Sequence, residues 1–271
     1  MKKVEVLIAA MHLEDTSIAE KTNVKTDALI INQCDENKTV CEEREYGKVR
    51  CIYTTDHGVS RSRNAALTNA TGDYCLLCDD DEYLYDGYED KIIKAFETYP
   101  KADIICFKIK VAPPADLAST ALKRSKKKYK KHPCKMGFLR VLKVATWQIA
   151  FRREAIINSC IRFDEHYGSG SKLGSGEENI FLYDCLKNGL KIRYVPELLG
   201  EVSQADSKWF KGFNEEYFLN RGTIIRRLMG RLVGFAYCTY FAVTKYPRYR
   251  SGISFFKAYA RLLKGLGRDI R

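Results

Sequence analysis

The sequence predicts an α/β fold, a mostly parallel central sheet followed by a helical, basic C-terminal extension. Three observations predict it. Short apolar runs rich in β-branched residues alternate with helical patterns through the first half of the chain, the spacing expected of strands joined by crossover helices. Four consecutive acids follow one of those strands at its carboxyl end, where parallel sheets bind their ligands. From Glu215 onward the pattern is helical and strongly basic. The boundary is placed after residue 206, giving an α/β domain over 1–206 and an extension over 207–271.

Taken in order, residues 4–10 form a buried first strand, residues 27–32 repeat the pattern, and residues 49–54 give a third strand. A helix is expected over 17–25. Residues 60–70 read as a helix capped by Ser60 and stopped near Gly72. The next strand covers 73–78, an amphipathic helix 88–99 ends at Pro100, and a strand follows over 103–111. The order then loosens at Ala112-Pro113-Pro114 and a dense basic run over 123–131. Later elements are a strand over 145–151, a glycine-rich loop over 168–176, a helix over 178–186 and a last strand over 191–195.

A chain of 271 residues with 45% hydrophobic and 30% charged side chains buries a sizeable core and is not disordered. The apolar run after Met1 reaches only Met11 before His12, Glu14 and Asp15, too short for a secretion segment. A cytoplasmic protein is therefore expected, and its ten scattered cysteines should be thiols. Cys75 and Cys78 have half-zinc-site spacing but lie inside a strand with no second half-site, so core thiols are expected. Charge is uneven. Residues 1–111 carry 15 basic and 21 acidic side chains, residues 112–206 carry 17 and 10, and residues 207–271 carry 14 and 3. The basic tail implies an anionic partner.

The sharpest motif is Asp79-Asp80-Asp81-Glu82. If extended geometry persists, Asp79 and Asp81 share one face and make a partial oxygen site for Mg²⁺ or Mn²⁺, open to phosphate oxygens. On these residues alone, a solvated turn whose acids cap the next helix is an equal reading. The motif has a context, however. It follows Ser62-Arg63-Asn64, which opens a helix, then Ala70-Thr-Gly72, then a strand. This order over about 25 residues resembles the nucleotide-sugar half of family 2 glycosyltransferases, which carry an Ala-Arg-Asn helix start, an Ala-x-Gly turn, a strand and an Asp-x-Asp motif. With a downstream Gly-Glu-Glu segment the resemblance spans roughly residues 1–200.

The resemblance implies a GT-A (Rossmann-like) nucleotide-sugar domain and a glycosyltransferase that uses a divalent metal. It assigns metal and donor contacts to Asp79 and Asp81, with Asp80 beside them and Arg63 near the nucleotide. Asn64 serves either there or as a local helix-start hydrogen bonder. Donor contacts also fall on Ala9 and Met11 after the first strand and on Gln33 and Asp35 after the second. This chain departs from the family there. It has Ala10-Met11-His12 in place of Pro-x-Tyr-Asn, and Asn32-Gln33-Cys34-Asp35 in place of Asp-Asp-Gly-Ser. Amides still pair with a pyrimidine edge, and uridine is the default base.

Gly176-Glu177-Glu178 resembles the family's Gly-Glu-Asp segment, which maps the catalytic base onto Glu178 with Glu177 in support. Position alone favours a plainer role, because acids opening a helix stabilise its dipole by about 0.3–1 kcal/mol. The glycine-rich loop before them reads as a mobile segment that brings both acids over the donor. Asp164 in Asp164-Glu165-His166 is a reserve candidate, and Trp147 and Trp209 are either sugar platforms or core.

In the extension, residues 232–243 carry no charge, with Arg226, Arg227 and Arg231 before them and Lys245, Arg248 and Arg250 after. Twelve residues are too few to span a bilayer. A core or dimer helix and a helix lying in a membrane interface are both consistent. The expected reaction is transfer from a nucleoside-diphosphate sugar to a saccharide or lipid-linked saccharide, in bacterial surface polysaccharide assembly. The rival is a non-catalytic polyanion- or membrane-binding protein on a degenerate sugar-nucleotide fold. No nucleic-acid-binding module is recognisable. A nucleotidyltransferase is disfavoured because no glycine-rich phosphate loop follows the first strand.

Overall fold

A computed structural model describes residues 2–112, 129–203, 212–268 and 270. The chain divides into two compact units, residues 1–165 with 177–206 and residues 166–176 with 207–271.

The first unit is built on one mixed sheet. Its strands are β1 (Val4–Met11), β2 (Asp27–Gln33), β3 (Lys38–Arg44), β4 (Gly47–Thr54), β5 (Tyr74–Asp79), β6 (Glu82–Leu84), β7 (Ile104–Val111), β8 (Cys134–Lys135), β9 (Ile149–Arg152) and β10 (Ile192–Val202). Their order is β3-β4-β2-β1-β5-β9-β7-β10-β6, with β8 on β10. β4, β2, β1 and β5 run parallel, as do β7 and β10, while β9 lies antiparallel between β5 and β7. Val6, Ile8, Leu29, Ile30, Leu76 and Ile105 are fully or almost fully buried, as expected for parallel strands covered on both faces.

The helices of this unit are α1 (Ile18–Lys21), α2 (Val59–Asn69), α3 (Tyr88–Thr98), α4 (Phe138–Val141), α5 (Arg153–Ser159) and α6 (Glu177–Lys187). Several expectations need correction. The helix foreseen over 17–25 is a single turn, closed when Asn23 takes a positive φ of 55°. Ser60 does not cap α2. It is buried within the helix, and Gly58 holds the cap position with a φ of 119° that favours glycine. The strand foreseen over 145–151 begins as a 3₁₀ turn over Thr146–Gln148 and becomes β9 only at Ile149. The last strand runs on to Val202, past a register shift between Tyr194 and Gly200.

Register brings the carboxyl ends of the parallel strands to one edge. Ala9 pairs with Asp79 and Ile31, Met11 with Gln33, and Gln33 with Thr54. The turn that leads into β5 is fixed by the buried carboxylate of Glu5. It accepts the backbone N–H groups of Thr71 at 2.6 Å and Gly72 at 2.8 Å and pairs with Arg50 at 2.6 Å. A Cβ on Gly72 would lie 2.6 Å from the Glu5 Cβ, so the Ala-x-Gly turn needs its glycine for space.

The second unit carries α7 (Glu215–Tyr249) and α8 (Phe255–Leu266). Asn214 caps α7 by accepting the Tyr217 N–H at 2.8 Å. Gly230, with φ 72° and ψ −170°, breaks α7 into two helical pieces. Phe218, Ile225, Cys238, Ala242, Tyr249 and Leu262 form the core between α7 and α8. No helix among the described residues is long and apolar enough to cross a membrane.

Candidate active site

Parallel strands place the acidic cluster. β5 ends at Asp79, and the chain turns at Asp80 and Asp81 before β6 begins at Glu82. Extended geometry therefore does not persist through the motif, and a shared strand face does not relate Asp79 to Asp81. The turn itself leaves Asp80 and Asp81 exposed and Asp79 half-buried. The backbone carbonyl of Asp81 accepts the Ser203 N–H at 3.0 Å, which ties the turn to the end of β10.

Arg63 is the centre of the site. It lies in α2, 4% exposed. Its guanidinium donates to Asp79 Oδ1 at 3.1 Å and to Glu177 Oε1 at 2.8 Å. The two acidic motifs, far apart in sequence, thus meet on one buried cation. Its charge is held on. Burial lowers the guanidinium pKa, but the Asp79 and Glu177 carboxylates outweigh that and leave it raised. The guanidinium also lies 5.7 Å from the centre of the Phe163 ring, which stacks on Phe181 of α6 at 4.2 Å. Asn64 completes the tie. Its side chain donates to the Phe163 carbonyl at 2.9 Å and accepts the Phe163 N–H at 2.8 Å, so it joins α2 to the segment before the glycine loop. Glu165 of that segment pairs with Arg61 at 3.2 Å.

Glu177 and Glu178 open α6. Glu177 is buried and Glu178 half-buried. Burial first, and the Glu177 charge second, push the Glu178 carboxyl up to about 8. Such a carboxyl changes protonation near neutral pH, the property asked of a general base. The glycine-rich loop that precedes it in sequence closes on itself: Gly168 N–H donates to the Leu173 carbonyl at 2.8 Å, and Ser171 Oγ to the His166 carbonyl at 3.0 Å.

The remaining expected donor contacts line the same strand edge. Ala9 is half-buried beside Asp79, Met11 is 50% exposed, and Asp35 is exposed just past β2. Gln33 is buried, and its side-chain carbonyl accepts the Gly58 N–H at 2.6 Å, a bond that fixes the start of α2. Asn32 bonds Leu13 through both its amide atoms, holding the loop after β1. Trp147 is half-buried against the main core. Trp209 and most of the basic run over 123–131 lie outside the described residues.

The sequence reading missed Glu82. It is 2% exposed, and neither carboxylate oxygen has a hydrogen-bond partner among the described residues. Burial and then the Asp79 charge push its carboxyl well above the usual range. The available signal is alternation: Glu82 and Leu84 point inward on β6 while Tyr83 points out.

Among the described residues no three His, Cys, Asp or Glu side chains converge to hold a metal unaided. Magnesium-type ions at phosphate sites need only one or two carboxylates, with water and substrate phosphates supplying the rest. Asp79 and Asp81 bracket the turn at the strand edge with hard oxygen donors, so the donor set suits a cation bound with a diphosphate.

Comparison with known proteins follows the same lines. The structure is similar to that of S. aureus TarS 1-349, with a TM-score of 0.62 at 14% identity over 98% of this chain and 81% of that one. It is also similar to the same protein in complex with UDP-GlcNAc, with a TM-score of 0.61 at 16% identity over 92% and 74%. The likeness establishes the GT-A fold. The uncharacterized glycosyltransferase YwdF of Bacillus subtilis (strain 168) is 28% identical over 102 residues, 35% of this chain and 37% of that protein. The chain thus matches little more than a third of that relative's length. Residues 16–158, more than half of the chain and including α2, β5 and the acidic cluster, match Glycosyl transferase family 2, and the chain belongs to that family.

Proposed function

We propose that the protein transfers a sugar from a nucleoside-diphosphate sugar, UDP by default, to a hydroxyl of a saccharide or lipid-linked saccharide. Surface polysaccharide assembly at the inner face of a bacterial membrane is the setting that suits such an acceptor. The observation that carries this reading is the buried Arg63, which holds Asp79 of the first acidic motif and Glu177 of the second in one site. TarS, similar in fold, has been solved with UDP-GlcNAc, which supports a uridine donor.

In this mechanism Asp79 and Asp81 would hold a divalent cation, Mn²⁺ or Mg²⁺, which would offset charge on the departing diphosphate. Arg63 keeps Asp79 and Glu177 in place and balances their charge. Ala9, Met11, Gln33, Asp35 and Asp80 border the nucleotide. Glu178 takes the proton from the acceptor hydroxyl while its oxygen bonds to the anomeric carbon and the diphosphate leaves from the opposite face. The product is inverted at that carbon. Within the whole chain, residues 1–206 supply this chemistry and residues 207–271 serve attachment.

The test is a screen of UDP-, GDP- and dTDP-sugars with saccharide acceptors, read as metal-dependent release of nucleoside diphosphate. Turnover with one donor and an inverted product is expected. Binding of no nucleotide at all, metal present, would overturn the reading in favour of a degenerate fold that binds polyanions.

A further inference from the structure

Past the break at Gly230, the second piece of α7 carries apolar residues on two opposite sides. One side, with Cys238, Phe241, Ala242 and Tyr249, is buried in the core with α8. On the other, Leu232, Ala236, Tyr240 and Val243 recur every three or four residues and so share a stripe. This stripe is uncovered: Leu232 is 90% exposed, Tyr240 58% and Val243 57%. Phe256, at the start of α8, is 83% exposed. An uncovered apolar face of this kind marks an interaction site.

Charge identifies the occupant. No Asp, Glu, His, Lys or Arg lies between Leu232 and Val243, and Arg231 and Lys245, Arg248 and Arg250 flank the stripe. Residues 207–271 carry 14 basic and 3 acidic side chains. Glu215, one of the few acids, is already paired with Lys257 and Arg261. A second copy of this unit would bring the same strong positive charge to the contact. A bilayer span needs about 20 apolar residues, more than this stretch offers, whereas a helix lying flat needs only one apolar face with cations at headgroup level.

We propose that this face docks on an anionic lipid surface, with Leu232, Val243 and Phe256 entering the interface and Arg231, Arg248 and Arg250 meeting the headgroups. The proposal deepens the reading of a lipid-borne acceptor. Its test separates the two, because binding to lipid is read without donor or turnover.

The experiment is co-sedimentation of the full chain with phosphatidylcholine vesicles, with and without phosphatidylglycerol, at low and high salt. Binding is expected to the anionic vesicles, weakened by salt. Leu232→Ser should weaken it about tenfold or more, since a buried leucine contributes about 1.5–3 kcal/mol. Arg248→Glu should weaken binding to anionic vesicles alone. Melting temperature and UDP binding of both variants should match the wild type. The proposal is overturned if the wild type fails to sediment with anionic vesicles at low salt, or if Leu232→Ser binds them equally well. It is also overturned if the wild type forms dimers that Leu232→Ser separates, which would give the face to a second copy. Vesicle binding without nucleotide binding would remove the glycosyl-transfer reading and leave this one standing.

Discussion

The two units of the molecule place their side chains in opposite ways. In the α/β unit a charge sits inside: Arg63 is 4% exposed and joined to two carboxylates. In the helical unit apolar groups sit outside: Leu232 is 90% exposed. Burying charge is costly, and exposing a large apolar patch forfeits its hydrophobic gain. Each departure from ordinary placement therefore marks a part of the chain that serves something besides folding. We propose that in the first unit this is chemistry on a charged substrate, and in the second attachment.

If buried charge marks the chemistry, removing it should have the largest effects. Glu178→Gln keeps the shape but cannot take a proton, and kcat should fall by about 10²–10⁴-fold with UDP affinity retained, measured by initial rates and titration. An unchanged kcat would detach the second motif from the reaction. Arg63→Ala leaves Asp79 and Glu177 facing each other without their cation, and stability should fall by about 3–5 kcal/mol, read from urea unfolding. A loss under about 1 kcal/mol, the range of surface pairs, would show that the ion pairs are solvated.

A smaller effect sharpens the electrostatics. Glu178 is pushed up to about 8 by burial and by the Glu177 charge. Below that pH it holds a proton and cannot act as base, so kcat/KM should rise with pH through the neutral range and level off above about 8. Glu177→Gln removes one cause of the raised value, so the rising limb should move to lower pH. A limb that stays put would assign it to another group. The smallest effect belongs to the second unit: Leu232→Ser should change global stability by no more than about 0.5 kcal/mol, in urea unfolding, because its side chain packs on almost nothing. A large loss of stability there would mean the stripe is core.

Much of this contrast was legible in the sequence, for physical reasons that also explain the gaps. β1, β2, β5 and β7 are mostly apolar runs, as strands buried on both faces must be, and β4 alternates, with Val49, Cys51 and Tyr53 turned inward. β3 escaped because Lys-Thr-Val-Cys-Glu-Glu-Arg is an edge strand with a mostly polar pattern, paired only to β4. β10 was cut short because Pro196 and Glu197 interrupt its apolar run at the register shift. The direction of β9 between β5 and β7 leaves no mark in periodicity. Around the site, Asp79, Arg63 and Glu177 were each visible as local motifs. Their meeting was expected from the family resemblance, while spacing alone does not show it, since 114 residues separate Arg63 from Glu177. Glu82 was read only as the last of four acids in the motif, although its alternation with Leu84 turns it inward.

Calorimetric titration of UDP with and without Mn²⁺, on the wild type and on Asp81→Ala, tests the central claim most directly. The account predicts metal-dependent binding in the wild type that Asp81→Ala abolishes. Binding that is indifferent to Mn²⁺ and equal in both proteins would contradict it, because the donor would then lie away from the acidic turn.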